Sequence, residues 1–446
     1  MPSAENLLSK ITDKNNNIKY NRSFFKHKIL PFHTREPERA KFKKGFQGVL
    51  GSLTRLSLGL NPKFDREESP ISIEELDLDF TPDSLRDEIL EELTSNNTVN
   101  SINHPYFLNY LPSSDQNDRK GEIDIAGILL ELLNLDFNQN WKESVGNKDS
   151  SNLFEQILIE SLSILERNDY KKSYIIFNKQ NYQYITADLE YLTTKNDFFM
   201  KNIQKFFAFY YFQYIIQTSI YLNNFESHNN DFTHLYFTLE NERITSTRKS
   251  VKRGFNLVAS LKNDLLTNET LIGYLNFLIN SDHTYSIQEI LEFDDDSRNS
   301  LNNNLISFMQ GYALITEDRN LDTITFNKDL LENIKMLKQW LLKDLTNETK
   351  TRFSKSIDEI GNLYFLKSRG PLGKVLSLDT DMIILLSALI VKDKTMILHD
   401  VFKGFEERGV WFDQYTKEEI VNLYERMNIL DKKSDSGEAK YVKPIL

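Results

Sequence analysis

The chain of 446 residues contains no cysteine, and glycine and proline are scarce, with 16 and 10 residues. The absence of cysteine excludes disulfide bonds, thiol catalysis and zinc sites built on thiolates. Phenylalanine and tyrosine are plentiful, with 30 and 20 residues. Few turn-forming residues and many large apolar ones favour long helices over a turn-rich β protein. The sequence therefore predicts a mainly α fold with a sizeable core.

The sequence also has little that would direct it to a membrane or out of the cell. Its first residues, MPSAENLLSKITDK, contain no apolar run of signal-peptide length, which together with the lack of cysteine predicts a cytoplasmic protein. The most apolar stretch, FFMKNIQKFFAFYYFQYIIQTSIYL, has no charge after Lys205 but includes Gln213 and Gln217. A bilayer span needs about 20 mostly apolar residues. We interpret this stretch as a buried helix and expect no membrane contact.

Catalytic and phosphate-binding motifs are missing as well. The sequence has no HExxH zinc motif, no Walker loop and no glycine-flanked nucleophilic serine, and its seven histidines are scattered. We therefore expect a non-catalytic binding subunit with no cofactor and no bound metal. The alternative is a cryptic metal-dependent nuclease, whose acids would converge only in the folded chain. Asp435, Glu438 and Lys440 are a weak match to the acid-x-lysine signature of such enzymes.

The net charge of −11 is unevenly distributed. Residues 1–63 hold 13 Lys and Arg against 4 Asp and Glu, so this N-terminal arm carries +9 and the rest of the chain −20. A basic segment on an acidic body is typical of nucleic-acid arms. Phenylalanines alternate with the cations, as in sites that bind phosphates and stack bases. The predicted DNA-binding residues of the arm are Lys26, Lys28, Arg35, Arg39, Lys41, Lys43 and Lys44.

Two observations leave the location of a DNA contact open. The rings of the arm are equally well explained as core residues, with the cations as their solvated neighbours. Residues 64–370 are predicted to form a helical body, and within it the stretch TSTRKSVKR at 245–253 is also basic. That stretch fits either a phosphate contact or a plain exposed loop.

Residues 371–446 predict a separate C-terminal unit. An apolar helix over 380–391, an amphipathic helix over about 395–408 and a third helix, TKEEIVNLYERMN, precede two short apolar runs joined by a polar loop. Thr416 and Glu419 have the spacing of a capping box for the third helix. Three helices followed by a β-hairpin predict a winged helix-turn-helix.

The charges of this C-terminal unit allow two interpretations, a DNA contact or a protein contact. Its predicted wing carries Lys432, Lys433 and Lys440, which would contact phosphate or the minor groove in a DNA-binding module. The unit as a whole holds 11 bases and 13 acids, and its third helix is rich in glutamate. Since phosphate contact requires a basic face, the unit fits either DNA or a protein partner.

Four stretches of the sequence have the pattern of one bacterial family: FFMKNIQKFFAFYYFQYIIQ, LYFTLENERITSTRKS, RGPLGKVLSLDTDMIILL and the C-terminal stretch from FKGFEERGVWFDQY onward. They resemble the DptG family, the small helical component of DNA-phosphorothioation-dependent restriction systems. The resemblance implies ATPase-type and helicase-type partner subunits in a complex that attacks DNA lacking the sulfur substitution. It implies no catalytic residues. The remaining alternative is a pure protein scaffold without DNA contact.

Overall fold

The computed structural model describes residues 4–14, 18–35, 38–62, 103–150, 153–160, 162, 165–167, 170–226, 230–316, 319–432 and 440–446. It confirms the mainly α fold. The helices of the described residues are α1 (Ala4–Ile11), α2 (Gln47–Ser57), α3 (Arg119–Leu133), α4 (Gln139–Gly146), α5 (Leu153–Glu160), α6 (Gln183–Thr193), α7 (Asn196–Asn223), α8 (Lys249–Lys252), α9 (Phe255–Leu261), α10 (Leu265–Ile279), α11 (Ile287–Leu291), α12 (Asp295–Ile315), α13 (Leu330–Asp344), α14 (Asn347–Tyr364), α15 (Thr380–Val391), α16 (Leu398–Glu406) and α17 (Gln414–Arg426).

Short strands form three small sheets among the described residues. The strands are β1 (Leu60–Pro62), β2 (Leu165–Arg167), β3 (Tyr236–Leu239), β4 (Leu366–Ser368), β5 (Lys374–Leu378), β6 (Met396–Ile397), β7 (Trp411–Phe412), β8 (Leu430–Lys432) and β9 (Lys440–Val442). β1 and β2 pair antiparallel. A four-stranded sheet has the order β4-β5-β3-β7, with β3 parallel to both of its neighbours. A third sheet has the order β6-β9-β8 and is antiparallel throughout.

The 28-residue helix α7 is the centre of the core. Its apolar residues occur on all faces, and all faces of its part over 206–220 are buried. Helices α2, α3, α6, α9, α10, α14 and α15 contact α7. Gln213 and Gln217 are buried with it and bond to the backbone at Gly409 and Thr233. The expected burial of this stretch is therefore confirmed. None of the described helices combines the length and the apolar composition needed to cross a lipid bilayer.

Side-chain caps fix where several helices begin. The Asp294 carboxylate accepts from the Ser297 amide ahead of α12, and Asp379 does the same for Met382 ahead of α15. The bounds of α15 agree with the apolar stretch predicted over 380–391. The third helix of the C-terminal unit begins earlier than predicted, because Asp413 rather than Thr416 caps it. Thr416 lies inside α17 and is buried.

The N-terminal segment is part of the core. Phe32, Phe42 and Phe46 are at most 4% exposed and join the same hydrophobic cluster as α7. The glycines of GFQGVLG allow α2 to pack closely, since a Cβ on Gly51 would lie 2.3 Å from the carbonyl oxygen of Leu111. These three phenylalanines are therefore core residues, which is one of the two interpretations that the sequence allowed for the rings of the arm.

The C-terminal residues are joined to the body by the four-stranded sheet. β5 and β7 come from residues 371–446, and both pair with β3 of the body, with Thr238 opposite Ser377 and Tyr236 opposite Trp411. One continuous cluster of buried residues runs from Ala4 to Val442. The stretch LKSRGPLGK, which spans the boundary predicted at 370, forms the β4–β5 hairpin of this sheet. The division at 63 and 370 into three domains stays a prediction.

Candidate nucleic-acid interface

Most of the predicted DNA-binding cations of the arm are engaged by other groups of the protein. Lys26 is ion-paired with Asp282, and Lys43 Nζ lies 2.8 Å from Asp115 Oδ2. Lys28 Nζ lies over the ring of Tyr174, 5.9 Å from its centroid. These contacts hold the cations along the surface of the body and partly neutralise them. Phosphate would have to compete with each of them.

The remaining residues of the arm differ from one another. Arg39 is 2% exposed, and its Nη2 lies 3.3 Å from Glu359 Oε1, so this guanidinium is not available to DNA in this fold. That is a correction to the prediction for Arg39, and its cause is burial against α14. Lys41 is half-buried, whereas Arg35 and Lys44 are exposed. DNA binding by the exposed members of the set stays a prediction.

The lysines of the predicted wing are only partly placed. Lys432 ends β8 and stands opposite Lys440 of β9 in the antiparallel register. Lys440 is half-buried. Lys433 lies outside the described residues, as do Asp435 and Glu438 of the weak nuclease match.

A cluster of exposed cations lies instead beside the four-stranded sheet. The segment 243–253 holds five cations and no acid, and four of them, Arg243, Lys249, Lys252 and Arg253, are exposed. Lys252 and Arg253 line a groove of about 580 Å³ together with Phe232, Thr233 and His234. We call this groove and the four exposed cations the basic groove.

Local structure explains why these side chains face solvent together. The short helix α8 carries Lys249 and Lys252, and the chain then turns sharply at Gly254 into α9. A Cβ on Gly254 would lie 2.1 Å from the carbonyl oxygen of Ser250, so any other residue would force the backbone of this turn to shift. The amide of Tyr236 in β3 donates to the carbonyl of Arg253 at 2.9 Å and fixes the turn against the sheet.

Aromatic rings stand beside the cations. The imidazole of His234 stacks on the indole of Trp411, with ring centroids 4.4 Å apart and planes 22° from parallel. The Trp411 amide donates to the carbonyl of Leu235, which holds β7 on β3. Lys249 Nζ lies 5.4 Å from the centroid of the Tyr236 ring. Cations interleaved with stacked rings are the combination by which proteins bind single-stranded nucleic acid.

The electrostatics of the basic groove differ from those of the arm. Within the described part of the chain, none of Lys252, Arg253 and Arg243 is ion-paired with a carboxylate, whereas Lys26, Arg39 and Lys43 each are. One acid, Asp231, lines the groove with the cations. Exposed and unneutralised cations release counterions when they bind phosphate, which is the main source of non-specific affinity for nucleic acid.

A buried polar cluster ties the basic groove to α17. Arg248 donates from Nε and Nη2 to the two carboxylate oxygens of Asp413, at 2.7 and 2.6 Å, and also bonds to Glu242. Thr416 Oγ1 lies 2.9 Å from Glu242 Oε2. Burial acts to raise the pKa of Asp413, but the hydrogen bonds from Arg248 and Thr416 outweigh it and lower this pKa overall. The cap of α17 is therefore an ionised carboxylate clamped by Arg248.

The side chains next to the basic groove provide no obvious reaction centre. Among the residues that the structure describes, no three His, Asp or Glu side chains lie close enough together to hold a metal ion. The His234 ring stacks on the Trp411 ring. Among the described residues, His234 makes no hydrogen bond to a serine or threonine. Exposed cations beside aromatic rings are the kind of arrangement that can bind anions and flat rings by charge and stacking.

The sequence identified TSTRKSVKR as basic, but it did not favour this stretch over the N-terminal arm as the DNA contact. The signal that distinguishes the two is the pairing of the arm's cations, whose partners lie 72 to 320 residues away. The sequence also did not indicate that Trp411 lies beside the basic groove, because its contact with His234 depends on the parallel pairing of β3 and β7.

Comparison with known proteins adds no family. None of the protein-family models matches the chain, and no curated protein is significantly similar to it. The resemblance to phosphorothioation-dependent restriction proteins therefore stays a prediction.

Proposed function

We propose that the protein is a non-catalytic, DNA-binding subunit of a bacterial defence complex, and that DNA lies in the basic groove. The observation that carries this proposal is the group of exposed cations at 243–253 beside the His234–Trp411 stack. Such a surface binds phosphate without breaking any ion pair of the fold, and its rings suit the bases of a strand with unpaired regions.

We further propose that the C-terminal unit is a winged helix-turn-helix. Its support is the element order α15-β6-α16-β7-α17-β8-β9, with β9 between β6 and β8 in the sheet. In such a module α17 would be the recognition helix. Its exposed side chains include Glu418, Glu419 and Glu425. A face rich in carboxylates repels phosphate and favours a basic protein surface, so the module serves partner assembly.

The partners follow from the sequence resemblance. An ATPase-type and a helicase-type subunit of a DNA-phosphorothioation-dependent restriction system would supply the chemistry and the strand separation. This subunit would hold DNA beside them. Arg248 of the segment 243–253 bonds to Asp413, the cap of α17, so the proposed partner surface would adjoin the proposed DNA surface.

The test is the salt dependence of DNA binding. The variant Lys252→Ser/Arg253→Ser removes two exposed cations and leaves every described ion pair intact. Each lost phosphate contact reduces the slope of log K against log salt by about 0.9 on duplex DNA, so we expect a reduction of about 2. Lys201→Ser/Lys355→Ser makes the same charge change at two exposed positions outside the groove and should leave the slope unchanged.

Three outcomes would contradict the proposal. Equal slopes for the groove variant and the wild type would remove the basic groove as the DNA site. Co-purification with partner subunits that survives nuclease treatment, without any shift of DNA by the protein, would favour the pure scaffold. Incubation of the purified protein with plasmid and Mg²⁺ tests the nuclease alternative, which requires cleavage that a named acid substitution abolishes.

A further inference from the structure

Aromatic rings continue from the basic groove along one face of the four-stranded sheet. Tyr236 of β3 stands opposite Trp411 of β7 in the parallel register, and both residues are half-buried. The next residues of the two strands, Phe237 and Phe412, are buried on the other face. Because paired residues point to the same side of a sheet, Tyr236 and Trp411 lie side by side. The ring of His234 stacks on Trp411 and belongs to the same face.

Tyr415 extends this set of rings beyond the groove. It lies in the first turn of α17, four residues after Trp411, so the two Cα atoms are at most about 14 Å apart. The guanidinium carbon of Arg248 lies 4.7 Å from the centroid of the Tyr415 ring. Lys249, the next residue along the chain, has its Nζ 5.4 Å from the centroid of the Tyr236 ring. Rings and cations therefore alternate along one surface. We call these four rings the aromatic row: His234, Trp411, Tyr236 and Tyr415.

Two rings of the aromatic row are packed on one side and open to solvent on the other. His234 is exposed, and one face of its imidazole is covered by Trp411 at 4.4 Å between ring centroids. Tyr415 is 64% exposed, and one face of its ring is covered by Arg248. Rings held in this way are preorganised for a second flat group on the open face. A nucleobase can cover such a face only when it is unstacked from its neighbours.

The charges along the aromatic row favour a single strand over a duplex. Lys252 and Arg253 line the groove at one end of the row. At the other end, the exposed Glu418 and Glu419 follow Tyr415 by three and four residues, so they are its neighbours on the surface of α17. A duplex carries a phosphate charge for about every 1.7 Å of its axis, on two backbones, and would bring one of them towards these carboxylates. A single strand can place its phosphates on the cations and its bases on the rings.

We propose that the basic groove binds a single strand of DNA in preference to a duplex, with unstacked bases on the open faces of His234 and Tyr415. This inference rests on the proposed function, because it takes the groove as the DNA site. It adds the form of the DNA and the two rings that select this form. Since every base has a flat face, stacking of this kind selects single strands without reading their sequence.

The experiment measures the fluorescence anisotropy of a labelled oligonucleotide, alone or annealed to its complement, as the full chain is added. We expect the single strand to bind at least about tenfold more tightly than the duplex. Tyr415→Leu and His234→Leu keep apolar bulk but remove a ring. Each should weaken single-strand binding about tenfold and change duplex binding by less than about twofold. Unchanged duplex binding also shows that the variant is folded.

Two control variants isolate the effect of a stacking ring beside the groove. Tyr415→Phe keeps the ring and should bind both forms of DNA as the wild type does. Phe137→Leu removes a ring that is 77% exposed and has Lys172 Nζ 5.1 Å from its centroid, an arrangement of ring and cation like that at Tyr415. Lys172 is ion-paired with two carboxylates. Phe137→Leu should therefore change the binding of neither form.

The outcomes separate this inference from the proposed function. Equal affinity for the single strand and the duplex would overturn the inference, and so would ring variants that behave like Phe137→Leu. In either case a reduced salt slope in Lys252→Ser/Arg253→Ser would still place DNA in the groove. If the protein binds neither form, or if the loss of these two cations changes the binding of neither form, the inference and the proposed function fail together.

Discussion

Replacing Arg248 by methionine tests the connection between α17 and the rest of the molecule. The side chains of Arg248, Glu242 and Asp413 are 7%, 4% and 7% exposed, so all three charges are shielded from water. One guanidinium serves two carboxylates, and it donates at 2.6 and 2.7 Å to Asp413. Methionine has a similar length and no charge. Arg248→Met therefore leaves two carboxylates buried near each other with no cation.

The expected loss is large. Removing one partner of a buried ion pair destabilises a protein by about 3–5 kcal/mol, chiefly because the other charge is left uncompensated. Here two charges are left, so we expect a loss in the upper half of that range. The control is Arg243→Met, an exposed arginine of the same segment, for which we expect a change within about 0.5 kcal/mol.

The pH dependence of the stability loss in Arg248→Met shows whether uncompensated carboxylates cause it. Because the pKa of Asp413 is lowered in the folded wild type, its contribution to stability is present above the unfolded pKa and is lost as pH falls through the lower folded pKa. Arg248→Met removes the charge and the hydrogen bonds of Arg248 but keeps burial and the hydrogen bonds from Thr416. The pKa of Asp413 should therefore be higher in the variant than in the wild type, which favours protonation. The difference in unfolding free energy between variant and wild type should therefore narrow as the pH falls through the ordinary range of Asp and Glu.

The assay is urea unfolding followed by fluorescence at neutral and acidic pH. It is accompanied by amide hydrogen exchange in α17, whose cap is Asp413. Protection in α17 should decrease more than protection in α7. A loss below about 1 kcal/mol, or a loss that is the same at both pH values, would refute the reasoning, since uncompensated buried carboxylates must respond to protonation.

Two further substitutions test packing around the proposed surfaces. Gly254→Ala should destabilise the protein by about 1–3 kcal/mol, because the new Cβ would lie 2.1 Å from the carbonyl oxygen of Ser250. A thermal melt should show this loss. The control is Gly146→Ala, whose Cβ would make only ordinary contacts and which should leave the melting temperature unchanged. Tyr424→Phe removes the hydrogen bond between the Tyr424 hydroxyl and Ser387 Oγ, which joins α17 to α15. The free energy of unfolding, measured with urea, should fall by about 0.5–1.5 kcal/mol. A change near zero would mean that this bond makes no net contribution to stability.

Much of the helical framework could be predicted because the determinants are local. The all-apolar stretch over 380–391 and the aromatic stretch that forms α7 are long, and burial of every face is the usual outcome for such helices. The start of α17 could not be fixed in the same way. Asp413 and Thr416 are both good caps, and the choice depends on Arg248, which lies 165 residues from Asp413 and holds it in place.

The functional surfaces were harder to predict because they depend on distant partners. Nothing near Lys43 or Arg39 in the sequence shows that Asp115 and Glu359 will meet them. Nor does the sequence show that Lys249, Lys252 and Arg253 have no carboxylate partner among the described residues, whereas Arg248 of the same stretch is ion-paired. Basic composition measures how many cations are present, whereas nucleic-acid binding depends on how many of them are left uncompensated after folding.

The energetics of the N-terminal arm favour the basic groove as the DNA site. For the arm to leave the body and contact DNA, Phe32, Phe42 and Phe46 would lose their burial, at about 1.5–3 kcal/mol for each ring and so about 5–9 kcal/mol in all. Non-specific DNA binding at physiological salt is worth about 5–8 kcal/mol. Release of the arm would consume that gain even before its ion pairs are broken. Contact of Lys252 and Arg253 with phosphate, as proposed, would carry no such cost, because both side chains are exposed in the folded chain.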